Sequence, residues 1–413
     1  MNMSEKDAKI LIIGGGFGGL FTALDLSSYR QVTLVNDEDH FLFKPMLYEY
    51  LSGEVEAWHI APDFKDLFEG QVEFIRGAVT GVDLDARTVT LGNRKEPLSY
   101  DVLVFAPGAI TNYAGVEGAE EFSIPFRRLD DANHLRRRMT QALDSIPPDS
   151  APQDTRNALT FAVVGGGASG VELATKMADL LRDAVKRRDL HGEPRVLVIE
   201  MADRLVPGMG EEIRGVVERA LEDSRVQAHT ETRVVRVTKD SITLEHNGQH
   251  AEIHTAAVVW VAGVKPNPLI ESLKAETDRR GLLLVERTLQ LRGHPNVFAL
   301  GDIAFYADVS PTLAGTAQLA LQEAHLCARN VRAFIQGGEL KSKHFLELGE
   351  AVSLGTEHAA VLSAGKVMTG PLARQARFAM YTARLPTWHH RLRVGASWFF
   401  EGTAPRPLKP LGF

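Results

Sequence analysis

The chain contains one cysteine, Cys327, in 413 residues. A single thiol cannot form an internal disulfide, pass electrons through a cysteine pair or build a cysteine-based metal site. No uninterrupted apolar run reaches roughly 18 residues, so a transmembrane helix is not expected. Residues 1–9 are polar, carry Glu5 and Asp7 and lack the apolar core of a signal peptide, so a cytoplasmic location is expected. No catalytic triad or metal-ligating cluster stands out. The 14 histidines are scattered, and the one adjacent pair, His389 and His390, reads as a basic or interfacial surface rather than a ligand set.

Acids are nearly missing from one stretch. From Lys366 to the last residue there are eight Lys or Arg (Lys366, Arg374, Arg377, Arg384, Arg391, Arg393, Arg406, Lys409) and one acid, Glu401. That surplus of seven positive charges sits in a chain of net charge −7, so the first 365 residues carry −14. An acidic body with a basic tail argues against nucleic-acid binding and points the tail at another anionic surface, such as a lipid bilayer. The remaining composition, 44% hydrophobic and 24% charged, is that of a globular protein and excludes disordered, collagen-like and coiled-coil classes. The length allows two to three domains at roughly 100–200 residues each.

What is present is a repeated pattern. An apolar run at residues 8–13 leads into Gly14-Gly15-Gly16-Phe17-Gly18-Gly19, an apolar-periodic stretch at 20–26 and a second apolar run at 31–35. About 150 residues on, a run at 159–164 leads into Gly165-Gly166-Gly167-Ala168-Ser169-Gly170, a helical segment at 171–187 and a strand at 195–199. Each copy reads as strand, glycine turn, helix, strand. In a G-x-G-x-x-G turn, missing side chains let the backbone approach a pyrophosphate, and the helix start presents free N–H groups to it. The context between strand and helix strengthens both matches. An acid closing the second strand normally takes the ribose hydroxyls. Glu200 stands there in the second copy; its charge accepts from a 2′-OH and repels a 2′-phosphate, which favours NADH over NADPH. In the first copy the residue is Asn36, followed by Asp37, which can substitute. Two dinucleotide sites imply two dinucleotides. A nicotinamide gives hydride to a flavin directly, with no need of a nucleophile or metal.

Other landmarks fall around these units. Residues 100–105 read as a strand ending at Ala106-Pro107-Gly108, and 145–157 as a Pro-rich loop. Residues 234–244 alternate like a hairpin, 256–261 form a buried strand ending at Ala262-Gly263, and 296–300 a strand ending at Gly301-Asp302.

These segments resemble the two-dinucleotide-binding flavoproteins and, within them, the type II NADH dehydrogenases, single-subunit NADH:quinone oxidoreductases. The resemblance rests on Ile12-Ile13-Gly14 to Leu20, Phe43-Lys44-Pro45-Met46-Leu47-Tyr48, the second glycine turn with Val171-Glu172-Leu173-Ala174, Val259-Trp260-Val261-Ala262-Gly263-Val264, Phe298-Ala299-Leu300-Gly301-Asp302, and Thr316-Ala317-Gln318-Leu319-Ala320-Leu321-Gln322-Glu323-Ala324. The last is similar to the family's A-Q-x-x-x-Q quinone signature. The tail around Ala383-Arg384-Leu385-Pro386-Thr387-Trp388 is more similar to the cyanobacterial and plastid branch that reduces demethylphylloquinone or related naphthoquinones.

The resemblance implies roles. FAD contacts fall to Gly14, Gly16, Phe17, Gly18, Gly19, Asn36, Asp37, Lys44, Pro45, Val79, Ala106, Gly108, Asp302 (for the ribityl chain) and Ala317. Pro107 replaces the family's usual Thr and removes one hydroxyl contact. NADH contacts fall to Gly165, Gly167, Gly170, Glu200 and Gly263, with Glu172 at the nicotinamide edge. Gln318 and Gln322, four residues apart and so on one helix face, are placed at the quinone. The implied fold class is α/β: two Rossmann-like dinucleotide-binding domains, for FAD and NADH, with a C-terminal amphipathic membrane-associating region. The expected division is 1–115 and 266–345 for FAD, 116–265 for NADH (βαβ from 159), and 346–413 for the tail.

In that tail a helix over 372–384 places Leu372, Ala376, Ala379 and Ala383 on one side and Arg374, Arg377, Tyr381 and Arg384 opposite, with Trp388, Trp398, Phe399 and Phe400 as interfacial aromatics. This is the pattern of a helix lying on an anionic bilayer, on the cytoplasmic face of a membrane. Packing on its own domain, or on a second copy in a homodimer, is the competing reading. The expected function is FAD-dependent NAD(P)H:quinone oxidoreduction at a membrane quinone without proton pumping. The rivals are a soluble ferredoxin-type reductase, a flavin-bearing NADH sensor with little turnover and, disfavoured by the lone Cys327, a sulfide:quinone reductase.

Overall fold

The computed structural model describes residues 8–29, 31–306, 315–342, 344–346, 349–363 and 366–408. Residues 1–7 and Lys409, which entered the readings of the N-terminus and the basic tail, lie outside them. The elements that position the sites are, in chain order, β1 (Ile10–Ile13), α1 (Phe17–Asp25), β2 (Val32–Asn36), α2 (Leu47–Ser52), β3 (Glu73–Arg76), β4 (Val102–Phe105), β5 (Thr160–Val164), α3 (Ala168–Arg187), β6 (Arg195–Ile199), β7 (Ala257–Trp260), β8 (His294–Ala299), α4 (Ala317–Gln336), β9 (Glu350–Leu354), α5 (Gly370–Thr382) and α6 (Trp388–Glu401). They fall into two compact units. One comprises residues 1–43, 61–110 and 264–347; the other comprises 44–60, 111–263 and 348–413.

The first unit is built on a sheet in which β8, β4, β1, β2 and β3 run parallel, with Gln290–Leu291 as an antiparallel edge. β1 sits inside it, Ile10 facing Val32 on one side and Val102 on the other. All four residues of β1 and of β4 are buried, as a central parallel strand covered on both faces requires. α1 and α4 pack against each other.

The second unit repeats the scheme with five parallel strands ordered Gln227–His229, β6, β5, β7, Ser123–Pro125. The alternating stretch at 234–244 is the turn region of an antiparallel sheet, Thr232–Val237, Ser241–His246 and Gln249–His254. Its Val234, Val237, Ile242 and Leu244 join Leu197, Ile199, Val258 and Trp260 in one buried cluster. The stretch at 145–157 is not all loop: a helix runs over Pro152–Ala158 with Pro152 in its first turn. Proline fits there because the first helical N–H has no partner to lose.

The tail of this unit is an antiparallel sheet (β9, His358–Ser363, Lys366–Thr369) followed by α5 and α6. α5 is rolled relative to the sequence expectation. Arg377 is 1% exposed and Tyr381 is buried, while Leu372 is 77% exposed. The cause is charge pairing: Glu49, Glu54 and Glu172 are buried in the same unit and draw Arg374 and Arg377 inward. Leu372, Ala376, Ala379 and Ala383 are left outside. His390 departs in the same way: it is buried, its Nε2 2.9 Å from the His59 carbonyl, whereas His389 is exposed. Among the described residues, no helix is long and apolar enough to cross a membrane.

Candidate dinucleotide sites and a buried ionic cluster

β1 delivers Gly14 at φ +96°, a left-handed conformation that side chains disfavour. A Cβ on Gly14 would lie 2.2 Å from the Ala106 carbonyl oxygen, and one on Gly19 1.8 Å from the Gly14 oxygen. On Gly16 a Cβ would meet nothing within 4 Å. So the first and last glycines are required by the protein's own packing. The middle one is required only by something that approaches from outside, as a pyrophosphate does. α1 begins here with no acid in its first turn, leaving the positive end of its dipole uncompensated. The Gly15 N–H donates to Asn36 Oδ1 at 2.8 Å, and Asn36 Nδ2 donates to the Glu38 carbonyl at 3.1 Å. Asp37 Oδ1 accepts from the Glu38 N–H. Phe17 packs edge-on to Phe41 at 5.1 Å, and a Cβ on Gly18 would touch Leu300. Ala106 is buried, Gly108 adopts φ +69°, and Val79 opens the strand Val79–Asp83, half-buried.

β8 leads through Leu300 into Gly301-Asp302, and α4 braces that turn. Glu323 is fully buried; its Oε2 accepts from the Gly301 N–H at 2.7 Å and its Oε1 from the Tyr306 hydroxyl at 2.6 Å. Burial pushes its pKa up to about 7. Sequence reasoning passed over Glu323, although an acid in the buried stripe of Leu319, Ala320, Ala324 and Cys327 is the signal that could have found it. Ala317 opens α4, whose N-cap Thr316 accepts from the Leu319 N–H at 3.1 Å. Gln318 and Gln322 are half-buried. The Gln322 amide is engaged by main chain: Nε2 donates to the Leu346 carbonyl at 2.8 Å and Oε1 accepts from the Leu346 N–H at 3.0 Å.

In the second unit the loop after β5 repeats the logic. Gly165 has φ +112°, a Cβ on it would lie 2.9 Å from Ala262 Cα, and one on Gly170 would lie 1.8 Å from the Gly165 oxygen. Around Gly167 there is again nothing within 4 Å, and α3 has no acid in its first turn. Both oxygens of Glu200 are held by backbone: Oε2 accepts from Gly166 N–H at 2.6 Å and Oε1 from Ala202 N–H at 2.8 Å. Gly263, at φ +70°, follows β7, where Trp260 Nε1 donates to the Asn112 and Ala262 carbonyls at 3.0 Å each.

Glu172, one turn into α3, is bound to the protein itself. Its Oε1 accepts from the Ser353 N–H at 2.8 Å and from Arg377 Nη2 at 2.9 Å. Arg377 Nη1 donates to Glu49 Oε1 at 2.6 Å, and Nη2 also donates to the Pro45 carbonyl at 3.0 Å. Lys176 donates to Glu54 Oε2 and lies 3.5 Å from Glu49 Oε1; Arg374 Nη2 donates to Glu54 Oε1 at 2.7 Å. Three acids thus face three cations, joining α2, α3 and α5. Lys44, just before this group, is exposed. Burial raises the Glu172 pKa to about 7 against the pull of Arg377. Burial also opposes ionisation of Glu49, but Arg377 and Lys176 outweigh it and keep that carboxyl below its usual range. Sequence reasoning found Glu172 and missed Glu49, Glu54, Arg374 and Arg377 as its neighbours.

A separate cleft of about 720 Å³ in this unit is lined by Asp179, Arg182, Arg219, Glu357 and His358 among others. It contains neither glycine loop, and Arg182 there already pairs with Asp179 at 2.7 Å. The residues present fit two dinucleotides: two cradles, each open only at its middle glycine.

The sequence profile of the pyridine nucleotide-disulphide oxidoreductases matches residues 8–324. The chain is 35% identical over 408 residues to demethylphylloquinone reductase NdbB of Synechocystis sp., covering 96% of each. It is 31% identical to the type II NADH:quinone oxidoreductase NdhA of Mycobacterium tuberculosis, over 94% of this chain and 86% of that one. Among solved structures, NDH2 of Plasmodium falciparum in complex with NADH superposes with a TM-score of 0.86, covering 98% of this chain and 100% of that one at 20% identity, a likeness of fold.

Proposed function

Because the chain belongs to the type II NADH:quinone oxidoreductases, within the pyridine nucleotide-disulphide oxidoreductase family, we propose that it is a peripheral membrane enzyme that oxidises NADH and reduces a quinone. When bound, FAD would supply the redox chemistry, a hydride acceptor toward NADH and a two-electron donor toward the quinone, which takes up two protons to become the quinol. The observation that carries this reading is the pair of loops at Gly14–Gly19 and Gly165–Gly170, each closed by its outer glycines and vacant beside its middle one.

The chain's own residues divide the work. The N-termini of α1 and α3 present backbone N–H groups to the two pyrophosphates. Asn36 and Asp37 in the first unit, and Glu200 in the second, take ribose hydroxyls. Asp302 bonds the ribityl chain, and Lys44, Pro45, Val79, Ala106, Gly108 and Ala317 border the flavin. Gly263 borders the nicotinamide dinucleotide, and Glu172 meets the nicotinamide edge from its place beside Arg377. Gln318 offers its amide to a quinone carbonyl, while Gln322, tied to Leu346, supports that face. The Synechocystis relative is named for demethylphylloquinone, and a naphthoquinone is the acceptor we favour. In this reading residues 1–115 and 266–345 serve FAD, 116–265 serve NADH and 346–413 associate with the membrane.

The membrane foot we propose is the outer face of α5 and α6. Leu372, Trp388, Leu392, Phe399 and Phe400 are 61–82% exposed, and on α6 positions 388, 392 and 399 share one stripe, with 400 to one side of it. Arg393, stacked on Trp58 at 5.3 Å, flanks it with positive charge suited to anionic headgroups on the cytoplasmic face. A homodimer closed through the same face is the rival occupant.

The test is oxidation of NADH and NADPH by purified protein against a panel of benzo- and naphthoquinones, with the flavin spectrum recorded first. A yellow protein that turns over NADH with a naphthoquinone is expected. A colourless protein that oxidises no NADH with a short-chain quinone would refute the reading.

A further inference from the structure

We propose that Asp203 is a second determinant of selectivity for NADH over NADPH: by holding Arg204 it denies a 2′-phosphate the one exposed guanidinium of the loop that follows β6. The proposal rests on the reading that the Gly165–Gly170 loop holds NADH.

The loop at residues 200–206 is pinned to the glycine turn at both ends. Glu200 Oε2 accepts from the Gly166 N–H at 2.6 Å, and the Val206 N–H donates to the Gly166 carbonyl at 2.8 Å. Leu205 is buried against Gly166, where a Cβ would lie 2.6 Å from Leu205 Cδ2. Between these anchors Met201, Asp203 and Arg204 face solvent. A loop fixed this close to the pyrophosphate turn is where the adenosine ribose is read, and enzymes that accept a 2′-phosphate do so with an arginine near this position.

Both arginines of the segment are already engaged. Arg204 grips Asp203 with two parallel bonds, Nε to Oδ1 at 2.8 Å and Nη2 to Oδ2 at 2.5 Å. Arg214 pairs with Glu211 and donates to the Met209 carbonyl at 3.2 Å. Residues 200–214 hold four acids (Glu200, Asp203, Glu211, Glu212) and these two cations, so the loop presents surplus negative charge. Glu200 is not free to turn aside, because both its oxygens serve backbone N–H groups.

The Asp203–Arg204 pair is exposed, and exposed pairs are individually weak. Its effect on selectivity is therefore one of net charge. A 2′-phosphate at Arg204 has to displace or lie beside a carboxylate, and removing Glu200 alone leaves that second carboxylate in place. Neutralising Asp203 turns the same arginine into a bidentate phosphate ligand.

The experiment compares binding of 2′-phosphorylated ADP with binding of ADP by calorimetry, and NADPH with NADH in initial rates, for wild type, Asp203→Asn, Glu200→Gln, the double variant, and the double variant with Arg204→Ala. We expect Asp203→Asn to tighten 2′-phosphorylated ADP about fivefold relative to ADP, and the double variant about fiftyfold, corresponding to about 2.4 kcal/mol at tenfold per 1.4 kcal/mol. Adding Arg204→Ala should return the ratio to that of Glu200→Gln, and the gain should shrink as salt rises. A ratio unmoved by Asp203→Asn in protein that binds ADP overturns the proposal, as does a gain that survives Arg204→Ala. Wild type that binds neither ADP nor NADH overturns instead the reading of the loop itself.

Discussion

Arg377 meets Glu172 at 2.9 Å, Nη2 to Oε1, in a pocket where the arginine is 1% exposed. The contact ties the tail to the helix that leaves the second glycine turn, since Arg377 stands on α5 and Glu172 on α3. The tail is thus a structural part of the unit that carries the Gly165–Gly170 loop. A buried pair is of modest net worth when whole, but breaking it strands charge. Arg377→Met should therefore cost about 3–5 kcal/mol in denaturant unfolding, because Glu49 and Glu172 both lose their main partner. The double variant Arg377→Met, Glu172→Gln should recover a good part of that loss, which a double-mutant cycle would measure. A single variant as stable as wild type would sink the account.

The glycines of each loop separate folding from binding. Gly16→Ala adds a methyl group where nothing lies within 4 Å, so the flavin-free variant should melt at the temperature of flavin-free wild type. The same methyl group blocks the approach of a pyrophosphate, and flavin content should fall roughly tenfold or more. Gly19→Ala drives a carbon to 1.8 Å from the Gly14 oxygen and should give insoluble or unfolded protein. Gly167→Ala against Gly170→Ala should repeat the contrast for NADH. Absorbance of the purified protein and a thermal melt read both arms; equal flavin in Gly16→Ala and wild type would remove the assignment.

How much of this is legible in sequence depends on what dictates each feature. The β1–Gly14–α1–β2 succession is readable because local backbone demands write it: four apolar residues, a turn that excludes Cβ atoms, then a helix. The same holds for Gly165 to Glu200. Arg377 is not readable, because what permits a charged group inside is a partner brought by the fold. Arg377 finds Glu49 across 328 positions and Glu172 across 205. The usual rule that basic residues face solvent then assigns the wrong side of α5. The Gln322 amide gives a further case, since a motif supplies the residue but not the Leu346 main chain that holds it.

Glu323 supplies a pH dependence. Its carboxyl titrates near pH 7 in the fold, above the ordinary 4.5, because burial penalises its charge. A raised folded value means that its contribution to stability is fully present below pH 4.5 and is lost as pH rises through about 7. The loss amounts to roughly 3 kcal/mol at full ionisation. Glu323→Gln keeps an acceptor for the Gly301 N–H and can donate to the Tyr306 oxygen, but carries no charge. Its melting temperature relative to wild type should therefore climb between pH 5 and pH 8. A difference that stays flat, or falls, would show that the fold does not raise the Glu323 pKa above its ordinary value.

The exposed face of the tail gives the last test, which depends on separating adhesion from stability. Phe399 and Phe400 are each 82% exposed, and Leu392 is 63% exposed. Replacing surface residues of this kind changes stability by no more than about 0.5 kcal/mol. If they lie in a bilayer interface, each large apolar side chain contributes roughly 1.5–3 kcal/mol to adhesion. Leu392→Ser, Phe399→Ser, Phe400→Ser together should therefore abolish co-sedimentation with vesicles of phosphatidylglycerol and phosphatidylcholine. The thermal melt and oxidation of NADH by a short-chain soluble quinone should be retained. Arginine contacts are screened by salt and apolar insertion is not, so wild type should stay partly bound at high ionic strength while a purely electrostatic foot would release. If the triple variant still sediments with vesicles but loses self-association in the ultracentrifuge, the face belongs to a dimer and the membrane reading fails.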